Sequence, residues 1–372
     1  MPRRALMKRF AFVIHPIDAR RDTSRKYPIA RYLPERLIEF GLKFTSPAKV
    51  SHITGIRAKD GAEAEGWFIA CPLTPRQMLS LPLDYVYRRI TEACRIGADL
   101  GAGIVGLGAF TSVVGDGGVT IAANSPIPVT TGNSYTVATA IEAAVDANEK
   151  LGRTLAESSV AVIGATGSIG RTCAMVLGAE AKDIALAGRN TSRLEEVADE
   201  VRAAGGQSVS STTDIKKALE CADVVVTVTS AVDAVVHPAD LKPGAVVCDV
   251  ARPRDVSVRV AKERPDVLVI EGGVVRVPGD NVNFNFNFGF EPGTAYACMS
   301  ETIMLALAGR YESFTLGKTV SVEQVRETQN MANRLGFELA GYRSFERPVT
   351  EDTIARVRQA AADAALSRSS NA

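Results

Sequence analysis

The chain has 372 residues, 46% hydrophobic and 23% charged, and its 43 Lys and Arg against 42 Asp and Glu leave a formal net charge of +1. This is the balance of a globular enzyme with room for two domains and a helical extension, and it argues against a nucleic-acid-binding protein. Six scattered cysteines without a CxxC or a Cys/His cluster argue against a bound metal, and no stretch approaches the ~20 apolar residues of a membrane span. The opening MPRRALMKRFAFVIHP is too short in its apolar run for a signal peptide, so the expectation is a cytoplasmic protein with reduced thiols.

Charge is unevenly placed. Residues 1–50 hold twelve Lys and Arg against four acids, a local +8 against −7 for the rest. That segment reads as a solvated basic arm or as a face that attracts an acidic partner.

In chain order, FAFVIHP (Phe10 to Pro16) reads as a short buried strand ending at His15 and Pro16, and GWFIACPLTP (Gly66 to Pro75) as a second. Leu81 to Ile96 has helical spacing, and AGIVGLGAFTSVVGDGG reads as a strand entering a glycine-rich loop. This alternation predicts an α/β domain over residues 1–132. TTGNSYTVATAIEAAVDANEKLG predicts a linking helix over 133–153, capped by Thr131 or Asn133 and ending near Gly152. Residues 154–290 then carry five apolar strands separated by helical segments, the pattern of a doubly wound parallel sheet. Residues 291–372 read as C-terminal helices, including Val322–Leu339 and Glu351–Leu366, with SRSSNA as a frayed tail.

The second domain carries, near its start, a glycine triplet, Gly164, Gly167 and Gly170, in GATGSIG between a strand and a helix. The first glycine permits a tight turn and the second lets a pyrophosphate approach backbone N–H groups. The third lets helix pack on strand, so Thr166, Ser168 and Ile169 become candidate cofactor contacts. The next strand ends in Arg189 and Asn190, with Arg193 following, where an NAD site would place an acid. Arginine there suits a 2′-phosphate, so the expected cofactor is NADPH. Thr227, Thr229 and Ser230 close one strand, and Gly272 and Gly273 another, at the carboxyl edge where a dinucleotide crosses the sheet.

Cys298 lies in PGTAYACMSETIMLAL (residues 292–307). Free cysteine is commonly a buried packing residue. With Thr294 as cap, it sits just past the first turn of a helix, where the dipole favours an anion, although Glu301 nearby opposes that. Both readings, packing residue and nucleophile, stand on the residues alone.

From FVIHP to ESFTLGK the chain resembles the cyanobacterial long-chain acyl-[acyl-carrier-protein] reductases and their bacterial relatives, within the shikimate- and amino-acid-type dehydrogenase superfamily. The resemblance is most specific in GAFTSVV (Gly108 to Val114), TTGNSYT (Thr130 to Thr136), VAVIGATGSIG, and EGGVV followed by AYACMSETIMLALAGRY. It implies reduction of a fatty acyl thioester to the aldehyde with NADPH through an acyl-cysteine, and it places the reactive cysteine at Cys298 and a loop serine at Ser112.

The oxyanion that develops would need donors, for which Ser112, Thr111 and Asn133 are candidates. His15 reads as a proton donor or as a structural strand-end histidine. The implied partners are an acyl-carrier protein or acyl-CoA, with the basic first 50 residues as the docking face, and an aldehyde-consuming enzyme. Phe284, Phe286, Phe288 and Phe290 alternate with Asn or Gly in NFNFNFGF, a strand-like apolar face that either lines an acyl channel or faces a core.

Two rivals share the two-domain plan. A shikimate- or amino-acid-type NADP dehydrogenase would use a Lys–Asp pair, and Lys59 is the sole lysine between residues 51 and 149. The other rival is a non-catalytic NADPH-sensing protein.

Overall fold

The computed structural model describes residues 7–24, 27–251, 253–287, 289–345 and 347–369. Arg3, Arg4, Arg25 and Lys26 of the basic segment, and Phe288, lie outside the described residues.

Eleven strands build two sheets: β1 (Lys8–Ile14), β2 (Ala48–Arg57), β3 (Glu63–Ala70), β4 (Ile104–Leu107) and β5 (Val129–Thr130) in the first, then β6 (Ser159–Ile163), β7 (Asp183–Ala187), β8 (Val209–Thr212), β9 (Val224–Thr227), β10 (Val246–Asp249) and β11 (Leu268–Glu271) in the second. The helices before residue 133 are α1 (Ala19–Ser24), α2 (Glu35–Phe44), α3 (Pro75–Ser80), α4 (Leu83–Asp99) and α5 (Val119–Asn124). They are followed by α6 (Asn133–Lys150), α7 (Ser168–Gly178), α8 (Thr191–Ala203), α9 (Ile215–Leu219), α10 (Val258–Glu263), α11 (Ala297–Leu307), α12 (Val322–Leu335) and α13 (Glu351–Ser369). No helix among the described residues is long and apolar enough to cross a membrane.

The chain divides into two compact units. One comprises Met1–Gly132, Val275–Lys318 and Glu327–Glu338, and the other Asn133–Val274, Thr319–Arg326 and Leu339–Ala372. Residues 291–372, expected as a helical part of their own, are therefore split. Helix α11 packs on β1 and β4 of the first unit, whereas α13 packs on β11 of the second. The expected 133–153 linker likewise belongs to the second unit as α6.

The first sheet runs β2-β3-β1-β4-β5, parallel except for β2, which is antiparallel to β3. Strand side chains alternate between faces. Ala11 and Val13 share a cluster with Val86, Ile90, Ala93 and Cys94 of α4. Phe12 turns to the other face, where its ring and the Thr302 hydroxyl of α11 occupy the space that a side chain at Gly106 would need. Covered on both faces, β1 is buried throughout its centre, and this is why it reads as an unbroken apolar run.

Among the described residues of NFNFNFGF the expected strand does not form. Asn283 makes a single antiparallel bridge with Thr54, and Asn285 adopts φ +47°. The Asn283 and Asn287 side chains accept the N–H groups of Asn285 and Gly289, a local bonding mode that competes with ladder pairing. The alternation in burial survives without a strand: Phe284 and Phe286 pack on Phe68, with ring centroids 6.0 and 5.9 Å away.

The second sheet runs β11-β10-β9-β6-β7-β8, every described pair parallel. Strand order reverses between β6 and β9, which is the crevice where doubly wound folds take ligands. Beneath this sheet Arg153 bonds Asn148 Oδ1, the Gly244 carbonyl and Asp223. Lys242, 8% exposed, also reaches Asp223 at 2.6 Å.

Burial alone would raise the pKa of Asp223. The Lys242 and Ser159 N–H hydrogen bonds and the charges of Lys242 and Arg153 outweigh it and hold the carboxyl below its ordinary value of 3.8. Its contribution is therefore complete above that value and is lost as pH falls through it. Asp223→Asn should cost about 2 kcal/mol near pH 7 in urea unfolding, and the gap to wild type should narrow as pH falls below 3.8, toward the lowered native value.

Candidate functional site

In the first unit, α11 begins at Ala297 with Tyr296 as its N-cap, not Thr294, whose hydroxyl bonds the Glu291 carbonyl. Cys298 is thus the second residue of the helix, closer to the dipole's positive end than the sequence suggests. Its thiol is nevertheless not activated at rest. Burial pushes the pKa up to about 11, against the backbone N–H groups of Met299 and Ala109, which favour the charged sulfur, while the Glu301 charge adds to the rise. Burial takes Cys71, Cys94 and Cys173 further, to about 12. Cys298 also keeps part of its surface open, unlike those three.

The N–H of Ala109 is directed by a strained turn. Ala109 adopts φ +46°, a region that costs a residue with a Cβ of order 1–3 kcal/mol. Gly108 N–H bonds the Val13 carbonyl, and the Phe110 N–H donates to His15 Nε2 at 3.0 Å. The proton of His15 is then on Nδ1, 3.1 Å from the Pro16 carbonyl oxygen. Burial lowers its pKa to about 4, against the Pro16 carbonyl and the Asp22 charge. His15 is neutral with both nitrogens engaged, so the proton-donor reading gives way to a clamp on the Ala109 turn. The loop hydroxyls are committed too: Ser112 donates to the Ala109 carbonyl and Thr111 to that of Gly108, each at 2.7 Å. The groups that favour charge at the sulfur are backbone N–H groups.

Glu301, one turn along α11, has no exposed surface, and it accepts the hydroxyls of Thr130 at 2.5 Å and Thr315 at 3.1 Å. Thr131 bonds the Thr315 carbonyl. This seats Gly132, at φ +74°, so close to the helix that a Cβ there would lie 2.3 Å from Cys298 Cα. Nothing in the residue pattern signalled Gly132 or Glu301 as the seat of the thiol.

In the second unit the glycine loop matches the needs of a dinucleotide. Gly164 (φ +86°) would meet the Val228 carbonyl at 2.6 Å with a Cβ, and Gly170 would meet the Gly164 carbonyl at 2.3 Å. Gly167 is exposed and caps α7 without a side chain, so the N–H groups of Ser168, Ile169 and Gly170 have no intrahelical acceptor. These are the features of an anion cradle.

Asn133 donates to the Ser168 hydroxyl at 3.4 Å, which associates it with this loop. Asn190 caps α8 through the Arg193 N–H, leaving the exposed side chains of Arg189 and Arg193 at the end of β7. Thr227 and Thr229 turn their hydroxyls to the buried carboxylate of Asp255, at 2.7 and 2.5 Å, while Ser230 is exposed. Gly272 is required by packing, since a Cβ there would lie 2.8 Å from Val250 Cγ2, and Gly273 by φ +79°. Asp255 carried no sequence signal.

Residues 146–271 match the shikimate/quinate 5-dehydrogenase family. The chain is 32% identical over 289 residues to the aminotransferase PigE of a Serratia strain, covering 76% of this chain but 33% of that protein, so it spans about a third of that relative's length. It is 26% identical over 341 residues to the long-chain acyl-[acyl-carrier-protein] reductase of Synechococcus elongatus, covering 87% of this chain and 95% of that protein. Among solved structures it is similar to L-tryptophan dehydrogenase from Nostoc punctiforme, with 12% identity, TM-score 0.41 and coverage of 95% and 88%. Together with the glycine loop, the family match supports a nucleotide domain of the shikimate-dehydrogenase type over residues 146–271.

Gly132→Ala should cost more than about 3 kcal/mol or displace α11, because the added carbon meets backbone rather than a flexible side chain. Thermal unfolding would read it. His15→Ala should raise the pH midpoint of Cys298 alkylation by about one unit through loss of the Ala109 donor, and His15→Gln, which keeps an acceptor, should restore most of it.

Proposed function

We propose that this chain reduces an acyl thioester to an aldehyde with NADPH, carrying the acyl group on Cys298. The observation that supports this best is a partly open cysteine at the second position of a helix, where the backbone N–H groups of Met299 and Ala109 favour negative charge on the sulfur. In a dry setting such donors stabilise a developing oxyanion or thiolate far better than water does.

The high pKa of the resting thiol keeps it neutral until substrate arrives. On attack, the Cys298 S–H bond and the thioester C–S bond break and a new C–S bond forms. The proton leaves on the departing carrier thiol, and the enzyme holds the acyl group as its own thioester. The Gly164–Gly170 loop would hold NADPH, with Arg189 and Arg193 as the partners for a 2′-phosphate; that cofactor would supply the hydride which, with a solvent proton, turns the enzyme thioester into aldehyde and the free Cys298 thiol. The Ala109 turn and α11 hold the sulfur in one place through both steps, and His15 and Glu301 hold the turn and the helix.

Carrier protein and coenzyme A thioesters both satisfy this chemistry, and the aldehyde implies a consuming enzyme. A dehydrogenase acting through lysine is less favoured, because Lys59 ion-pairs with Glu338 at the surface.

The decisive experiment omits the nicotinamide. Incubation with an acyl thioester alone should leave one acyl group on the peptide carrying Cys298, and Cys298→Ala should abolish both adduct and aldehyde while leaving NADPH binding intact. Aldehyde formation by Cys298→Ala at near wild-type rate would refute the acyl-cysteine route. For the cofactor, Arg189→Ala should reduce kcat/KM with NADPH by roughly tenfold or more and change that with NADH little; equal efficiency of the wild type with both nucleotides would remove the 2′-phosphate assignment.

A further inference from the structure

The first unit carries an apolar, basic face that neither the thiol site nor the nucleotide loop uses. Within residues 27–44 six large apolar side chains stand out from the surface: Tyr27, Ile29, Tyr32, Leu37, Phe40 and Phe44, the last four between 53% and 80% exposed. On α2, Leu37, Phe40 and Phe44 fall at i, i+3 and i+7 and so share one side of the helix. Ile38 and Leu42 face the other way, into a small cluster with Ala19, Ala30 and Leu33.

That inner side is pinned. The Glu39 carboxylate accepts the Thr74 hydroxyl at 2.8 Å, its carbonyl accepts Gln77 Nε2 at 2.7 Å, and the Lys43 carbonyl accepts the Tyr85 hydroxyl. The exposed stripe therefore cannot rotate inward. The rings of Phe40 and Phe44 meet edge-on at 5.1 Å.

Basic groups flank the stripe. Arg36 and Lys43, seven residues apart, lie along one flank, and Arg20, Arg21 and Arg31 line a neighbouring recess of about 330 Å³ with Asp18, Ser24 and Glu35. Of the segment's acids, Asp22 and Glu39 are engaged internally.

We infer that this face seats the protein on an anionic lipid surface, with Leu37, Phe40 and Phe44 entering the headgroup–acyl boundary and the flanking cations meeting lipid phosphates. A second copy would bring the same positive charge against itself. A protein partner would need a pocket for each protruding side chain, whereas the bilayer boundary accommodates them without one. The inference stands apart from the acyl-cysteine reading, since membrane binding does not depend on Cys298.

The test is cosedimentation of the full chain with vesicles of phosphatidylcholine alone and of phosphatidylcholine mixed with phosphatidylglycerol, at low and high salt. Binding is expected to the mixed vesicles and to weaken with salt. Leu37→Ser/Phe40→Ser/Phe44→Ser should weaken it at least about tenfold, and Arg36→Gln/Lys43→Gln by about fivefold per charge, with unchanged thermal midpoints because the side chains are exposed.

Four outcomes would overturn it: no binding to either vesicle; binding that the triple variant leaves intact; concentration-dependent self-association that the triple variant removes; or binding of an acidic acyl-carrier protein, lost in the triple variant, without vesicle binding. Thioester turnover by the Cys298→Ala and triple variants separates the two readings: the first should lose chemistry and keep vesicles, the second the reverse.

Discussion

A carboxylate without exposed surface anchors the part of the first unit on which the chemistry depends. Glu301 accepts the hydroxyls of Thr130 and Thr315, so the end of β5 and the segment after α11 are both tied to one side chain of that helix. An unsatisfied buried carboxyl is costly, and this gives the three elements one low-energy register. Gly132 follows Thr130 by two residues and lies against the Cys298 backbone, so the same register that satisfies Glu301 determines where the sulfur sits. Gly106 admits Thr302 on the next turn of α11 against β4. Helix α11 is keyed at the carboxylate and at two glycines, with the thiol between them.

Burial and reactivity oppose each other at Cys298. The sheet face that gives α11 its support also removes water from the thiol, and desolvation outweighs the helix N-terminus and the two N–H donors. A thiol held neutral at rest is protected from oxidation and alkylation, which proceed through the thiolate. The donors that fail to ionise it in isolation are still well placed to receive charge as a bond forms. His15 has a similar history: a residue type that usually titrates near neutrality is partly buried, held low in pKa and bonded at both ring nitrogens, and it contributes rigidity. In the second unit Asp255 does comparable work, gathering the hydroxyls of Thr227 and Thr229.

The elements legible in the chain were those whose burial matches a simple period. Strands β1, β6, β9, β10 and β11 are apolar runs because both faces are covered, and the glycine triplet was readable because each glycine answers a local steric demand. The NFNFNFGF segment shows where period fails. Its alternation is that of a strand, but asparagine side chains close local turns and no neighbour pairs with it beyond Asn283.

By itself the sequence determined the doubly wound second sheet, the glycine loop at its switch point, the arginines at the end of β7, and the presence of a cysteine near a helix start. Those features depend on neighbours within a turn or a strand, where residue type and spacing are sufficient. Tertiary structure alone decided that α11 belongs with the first sheet, that Gly132 and Glu301 lie against the thiol's helix, and that both ring nitrogens of His15 are engaged, one by the Phe110 N–H. It also decided that burial outweighs the helix dipole at Cys298. Each of these rests on contacts between residues far apart in the chain, and desolvation in particular depends on how many elements converge on a group, which no local pattern records.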